Sequence, residues 1–287
     1  MDLVVDTGQY LAGVDHTGIH PYTPWTVIVR ATNTTGYVDS PASVINYFPL
    51  PVIWYKFETG DQVGQNLYNW ATRLYDASFT TTNMISTTRF YTGSASCYFD
   101  GTNSISIKPA IVSTNSNAVS AGFNSTGWTP KNTLGYTFTT WYYNTGASWS
   151  GSLFQFIYSS DHTVGIVPNS RLEFGASNYA PPPGWGSIAL NTWMFFALVF
   201  PAGSVSTSIN PTLYVYGNGG DVSYNITNQV TSEGTLGVYN YTTINLGTNA
   251  GVSYIGAGVL TGYYDDFRMY AVALNSTQIH SIINRTE

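Results

Sequence analysis

The chain has 287 residues, of which 43% are hydrophobic, 16% aromatic and only 8% charged. That aromatic content buries surface and excludes disorder, while the scarcity of charged residues excludes a coiled coil or a long helical array. Nine Lys and Arg against fifteen Asp and Glu leave a net charge of -6, which argues against nucleic acid as a partner, because phosphates require a basic surface.

The first legible element is Trp25–Ala31, where Val27, Val29 and Ala31 alternate with Thr26, Ile28 and Arg30. Two prolines in Asn46–Pro51 then favour an extended linker, which predicts a short segment 1–48, a linker 49–51 and a domain 52–287. The run Ser104–Lys108 alternates cleanly, as does Tyr136–Thr139 on its way to Trp141. Ala180–Gly186, with three prolines before Gly184 and Trp185, reads as a stiff loop. Trp193–Phe200 is apolar on both faces and predicts a central strand. Leu213–Tyr216 follows, and Gly217-Asn218-Gly219-Gly220 reads as a hairpin turn. Tyr263–Tyr270 carries the last strand. A short helix starts after Asn275, with Gln278 closing a capping box, Leu274 stapling onto Ile279, and Ile279, Ile282 and Ile283 on one face. Many short strands with no helical pattern between them predict an all-β antiparallel sandwich.

The single cysteine, Cys97, allows no internal disulfide and no cysteine-based zinc site. No run of 18 apolar residues is present, so no membrane-spanning helix is expected. No basic region followed by a hydrophobic one opens the chain, so no signal peptide is expected either.

Two stretches resemble known families. Ile19-His20-Pro21-Tyr22-Thr23-Pro24-Trp25, with Val27, Val29, Ala31, Asn33 and Gly36 and then Ser40–Ser43, resembles the back half of a fibronectin type III domain. Trp25 stands where that family has its corner tyrosine. A partial immunoglobulin-like segment leaves its inner face uncovered, which implies a longer chain or an assembly around it. The remainder is similar to a laminin-G-like, concanavalin-A-type jelly roll in five ordered pieces. These are Val52–Glu58; Ser96–Gly101; Tyr136–Trp141; the pair Trp193–Val199 and Leu213–Gly217; and Ile255-Gly256 followed by Leu260–Tyr270. The ending Ala273-Leu274-Asn275 with its helix fits as well.

Enzymes on that fold include glycoside hydrolases with paired strand carboxylates. This chain has four glutamates, Glu58, Glu173, Glu233 and Glu287, and none stands in a Glu-x-Asp-x-Glu motif. Asp265 and Asp266 are adjacent, so on a regular strand they face opposite ways. The histidines His16, His20, His162 and His280 accompany no Gly-x-Ser-x-Gly elbow. The expectation is a non-enzyme. The resemblance also implies a structural calcium ion with oxygen ligands, held by Asp266 with Glu58 or Asp100; the alternative is that Asp100 caps the Gly101 turn and that Asp265 and Asp266 bond backbone or Arg268. Loop aromatics that alternation does not explain are candidates to stack on sugar rings: Trp185, Tyr179, Trp149 and Trp128, with Asn178 and Asp161 as polar partners. Trp54, Trp141 and Trp193 are assigned to the core. Six Asn-x-Ser/Thr sequons, at Asn33, Asn124, Asn225, Asn240, Asn275 and Asn284, matter only in a secretory route.

The reading is a lectin-like, non-catalytic adhesion or carbohydrate-binding module displayed extracellularly or on a virion surface, because tandem modules of these kinds resemble those of bacterial, phage and large-virus surface proteins. Its partners would be carbohydrate or neighbouring surface proteins. The alternatives are a structural capsid or wall protein that binds adjacent subunits, and a divergent glycoside hydrolase depending on Glu173.

Overall fold

The structure is a computed structural model that describes residues 48–130, 134–146, 152–157, 189–202, 211–217, 240–248 and 260–285 in full. It describes the backbone alone in 2–6, 25–33, 36–39, 43–45, 158–159, 162–167, 171–175, 177–179 and 220–225. The chain divides into two compact units, the first ending at Leu50 and the second running Pro51–Arg285.

In the first unit, β1 (Asp2–Asp6), β2 (Trp25–Asn33), β3 (Gly36–Asp39) and β4 (Ser43–Ile45) form one sheet centred on β2. β3 and β4 pair with β2 antiparallel. β1 pairs with it in parallel, Asp2 opposite Thr26, unlike the antiparallel pairing expected throughout. A parallel pair needs a connection of about a dozen residues or more, and the stretch from Asp6 to Trp25 supplies that length.

The second unit runs β5 (Ile53–Tyr55), β6 (Gln62–Val63), β7 (Asn66–Asn69), β8 (Leu74–Phe79), β9 (Ile85–Ser86), β10 (Ser96–Asp100) and β11 (Ile105–Ile107). Two helical turns follow, α1 (Pro109–Val112) and α2 (Ser116–Ser120), then β12 (Phe123–Asn124), β13 (Gly127–Trp128) and β14 (Tyr136–Asn144). The chain continues through β15 (Phe154–Ser159), β16 (His162–Val167), β17 (Arg171–Gly175), β18 (Ser177–Tyr179), β19 (Trp193–Phe200), β20 (Thr212–Gly217), β21 (Gly220–Asn225), β22 (Thr243–Leu246), β23 (Thr261–Tyr270) and α3 (Ser276–Asn284).

The first sheet has the order β21-β20-β19-β14-β23-β10-β9, with β5 also paired to β23; the second has the order β18-β17-β16-β15-β22-β11-β8-β7-β6. Every pairing in both is antiparallel, so the unit is the antiparallel β-sandwich that the sequence predicts. The apolar run β19 lies between β14 and β20, and Gly217 opposite Gly220 closes the expected hairpin.

The core fills the space between the two sheets. Phe138 of β14 meets Phe154 and Phe156 of β15, each at 5.0 Å between ring centroids. Tyr264 of β23 donates its hydroxyl to the Leu153 carbonyl at 2.9 Å. Phe196, Leu198, Leu213, Phe267 and Met269 from the first sheet, and Ile105, Phe79, Ile244 and Leu246 from the second, belong to the same buried cluster. α3 has the expected cap: Asn275 accepts from the Gln278 N–H at 2.9 Å, the Gln278 side chain accepts from the Asn275 N–H at 3.0 Å, and Ile279, Ile282 and Ile283 are buried. α1 and α2 are too short to show a period in the sequence. Asn115 caps α2 by accepting from the N–H groups of Asn117 and Ala118. Among the described residues, no helix is long and apolar enough to cross a membrane.

Candidate functional site

Strand alternation gives the first sheet two apolar faces. The inner one carries Phe138, Tyr142, Phe196, Leu198 and Tyr264 into the core. The outer one is as aromatic. Cross-strand partners share a face, and the register puts Tyr98 opposite Tyr263, Tyr263 opposite Tyr143, Tyr143 opposite Trp193, Trp141 opposite Phe195, and Phe195 opposite Tyr216.

The rings on this face touch in a continuous path. Tyr98 lies 4.9 Å from Tyr263, Tyr263 6.1 Å from Tyr143, Tyr143 5.5 Å from Trp193, and Trp193 6.0 Å from Tyr91. Tyr91 stacks on Trp141 at 3.4 Å and 16°, and Trp141 reaches Tyr216 at 6.3 Å. The path crosses β10, β23, β14, β19 and β20. Tyr98 is 38% exposed and Tyr216 36%, and Phe90, next to Tyr91, is 43% exposed. Trp193, Tyr263 and Tyr91 are half-buried. Trp193, expected in the core, is instead the first residue of β19 and is partly exposed on the outer face. Trp141 is buried, but on this outer face, under Tyr91.

Tyr91 belongs to a strap, residues 89–94, that crosses the outer face. Asp265 pins it: its Oδ2 accepts from the N–H groups of Tyr91 at 2.8 Å and Thr92 at 2.9 Å. Glu58 Oε2 accepts from the Ser94 N–H at 2.9 Å and from its hydroxyl at 2.7 Å. Arg285, just past α3, donates to the Tyr91 carbonyl at 2.6 Å with its guanidinium 4.9 Å from the Tyr91 ring. Arg89, exposed, holds its guanidinium 4.7 Å over Tyr143. Asp265 is fully buried, and its Oδ1 has no hydrogen-bond partner among the described residues. Burial pushes its carboxyl up to about 8; the Asp266 and Glu58 charges add to the rise, and the two accepted N–H bonds oppose it.

The adjacent Asp266 differs because β23 bulges. The register shifts between Thr139 and Trp141 of β14, and Asp266 takes a φ of 52°. Its two oxygens accept from Arg268 at 2.9 and 2.8 Å, and Oδ1 also accepts from the Trp54 indole N–H at 2.7 Å. A calcium site on this aspartate does not fit, because a guanidinium already occupies both oxygens. Asp100 Oδ1 accepts from the Thr102 N–H and hydroxyl in the turn at Gly101, and Glu58 holds the strap. Among the described residues, no group of three or more His, Cys, Asp or Glu is arranged to hold a metal ion.

The expected sugar-stacking residues fall elsewhere. Trp128 is fully buried in β13. Its indole N–H donates to the Ala121 carbonyl at 3.1 Å, and its rings lie 5.8 Å from Phe138 and 4.8 Å from Phe156. It plugs one end of the sandwich between the two sheets, so no face of it is open to a ligand. Backbone bonds to Tyr241 at 3.0 and 2.8 Å fix β13 there. Asn178 and Tyr179 lie in β18, at the edge of the second sheet, with Asn178 opposite Glu173 and Tyr179 opposite Leu172. Trp149, Asp161 and Trp185 lie outside the described residues.

The outer face is not legible from alternation alone, because the aromatics of β14, β19 and β23 read as core. The signal was present: β14 reads Tyr-Thr-Phe-Thr-Thr-Trp-Tyr-Tyr-Asn, with large rings at both alternating sets of positions toward its end. A second aromatic patch borders β5, also against expectation. Trp54 is half-buried rather than core, and Lys56 Nζ sits 4.1 Å from both the Trp54 and Trp70 rings. The Trp70 indole N–H donates to Asp61 at 3.0 Å.

The chain matches no family model and no curated protein. Among solved structures it is similar to domain 4 of AbnA, an extracellular GH43 arabinanase from Geobacillus stearothermophilus, solved in complex with arabinotriose. The match has a TM-score of 0.54 and 15% identity and covers 82% of this chain and 98% of that one. The binding domain of botulinum neurotoxin DC, solved in complex with SialylT, matches with a TM-score of 0.45 and 11% identity over 83% of this chain and 52% of that one. A mutant Trypanosoma rangeli sialidase matches with a TM-score of 0.49 and 15% identity over 80% of this chain and 32% of that one. The arabinanase domain and this chain share a fold.

Proposed function

We propose that the second unit is a non-catalytic glycan-binding module and that its contact surface is the outer aromatic face of the first sheet. The observation that carries this reading is the unbroken path of rings from Tyr98 to Tyr216, with open edges at Tyr98, Phe90 and Tyr216. Sugar rings present flat C–H faces that stack on such rings, and the strap bonds hold those rings in place before any ligand arrives. The arabinotriose bound to the arabinanase domain is a precedent for oligosaccharide binding on this fold. Asp265, Asp266 and Glu58 each hold a neighbouring group of the protein, which supports binding rather than hydrolysis. The low charge supports display outside a cell or on a virus particle, and the laminin-G-like and fibronectin-like identities remain part of this proposal.

The test is a glycan array followed by titration of wild-type protein, Tyr98→Ala and Trp193→Ala, with folding checked by circular dichroism. Binding weakened roughly tenfold or more in folded variants is expected. Unchanged affinity in both would refute this surface. A second reading, a structural protein docking on neighbouring subunits, draws on the exposed Tyr75 and Trp70 beside β7 and β8. Absence of any glycan binding together with self-association lost in Trp70→Ala would favour it.

A further inference from the structure

We infer that the outer aromatic face takes an acidic saccharide, its anionic group received by Arg89 with Arg285 beside it. This rests on the glycan reading above and narrows it to a ligand class.

Cations are scarce in this chain: nine Lys and Arg in 287 residues, with a net charge of -6. Two of the nine nevertheless stand on one aromatic face. The guanidinium of Arg89 lies 4.7 Å from Tyr143, and that of Arg285 lies 4.9 Å from Tyr91. Tyr143 and Tyr91 both flank Trp193, at 5.5 and 6.0 Å. The two cations therefore bracket the ring on which a sugar would stack.

Neither has a carboxylate partner among the described residues. Arg268 shows the contrast: both Asp266 oxygens accept from it, in a buried ion pair at 2.8 Å. Arg285 spends one N–H on the Tyr91 carbonyl, and Arg89 donates to no described group. A guanidinium held over a ring face keeps N–H groups available, and these match the paired oxygens of a carboxylate or sulfate. The ring contact also restricts the side chain, so less of its freedom is lost on binding.

The nearby acids do not cancel this charge. The Asp265 carboxylate lies buried beneath the strap, with its Oδ2 on the strap N–H groups, and Glu58 is turned toward Ser94. The protein's net negative charge opposes an acidic ligand only at long range. At physiological salt, with a screening length of about 8 Å, distant charges are largely screened at the two guanidinium groups.

The probes are an oligogalacturonate, its methyl-esterified neutral counterpart and a sulfated oligosaccharide of similar length, titrated against the full chain. The acidic probes are expected to bind at least tenfold tighter than the neutral one. Arg89→Gln should erase that preference, whereas Arg89→Lys should restore part of it. Preference for the galacturonate assigns a carboxylate as the anionic group, and preference for the sulfated probe assigns a sulfate. Equal binding of neutral and acidic probes, or a preference that survives Arg89→Gln, would overturn this inference and leave the glycan reading standing. No binding of any probe, with none on a broad array, would overturn both.

Discussion

Replacing Asp265 with Asn isolates the carboxyl that fastens the strap. In the folded chain burial raises this group from 3.8 to about 8. Folding therefore takes up a proton across that interval, because the native state binds more protons than the unfolded one. The stability that Asp265 contributes is full at low pH, declines as pH rises toward about 8, and is gone above it. Asp76, raised to about 6 chiefly by burial, contributes the same sign but only in the lower part of the window. The slice from about pH 6 to about pH 8 thus belongs to Asp265, and above it the buried Cys97 thiol adds a fall of the same sign, because the unfolded thiol ionises at about 8.5. Roughly two units of its rise fall in that slice, and at about 1.4 kcal/mol per unit they are worth about 3 kcal/mol. Tyr142 and Tyr264, which burial holds well above the usual tyrosine range, stay protonated throughout. Asp265→Asn keeps an oxygen that can accept from the Tyr91 and Thr92 N–H groups and carries no charge. The assay is urea unfolding followed by tryptophan fluorescence, at steps from about pH 6 to about pH 8. Wild-type protein should lose about 3 kcal/mol over that range. The variant should lose almost none, and should be the more stable of the two at the alkaline end. A wild-type curve flat over this range, or an Asp265→Asn curve with the same fall, would refute the reasoning.

Other substitutions probe the packing. Trp128→Ala should lower the unfolding free energy by about 3–5 kcal/mol, the range for emptying a buried aromatic site; a loss under about 1 kcal/mol in chemical unfolding would contradict its position between the sheets. At Gly262 the φ is 142°, and an added Cβ would run into the Tyr143 carbonyl oxygen of the paired strand. Gly262→Ala should therefore cost on the order of 3 kcal/mol and pull β23 from β14 next to Tyr143, weakening glycan binding as well; an unchanged melting temperature would count against this close approach. Cys97 is fully buried, and burial pushes its thiol well above the ordinary value. The native thiol should resist Ellman's reagent until the protein unfolds, and rapid labelling of native protein would disprove the burial.

Much of the architecture follows from local chemistry. The apolar run Trp193–Phe200 becomes a central strand because such a run is stable only with both faces covered. Gly217 and Gly220 close a hairpin because glycine tolerates the backbone that a tight turn requires. Asn275 and Gln278 cap α3 because the first helical N–H groups lack partners within the helix. These features depend on neighbours in sequence, so sequence alone determined the antiparallel sandwich, its principal strands and its last helix.

The candidate site was settled at longer range. Alternation in β14 and β23 separates two faces but does not say which one meets the other sheet, and here both carry rings. Trp128, between a glycine and a threonine, reads like a loop residue until Tyr241, more than a hundred positions later, pairs with its backbone. Asp265 is adjacent to Asp266, yet one fastens a strap about 170 residues earlier in the chain and the other neutralises Arg268. A one-residue bulge at Asp266 separates those roles. The aromatic face and its two guanidinium groups form only when β10, β14, β19 and β23 lie side by side and Arg285 returns over Tyr91. Such contacts are decided by which surfaces the packed sheets leave open, and local sequence pattern does not encode that.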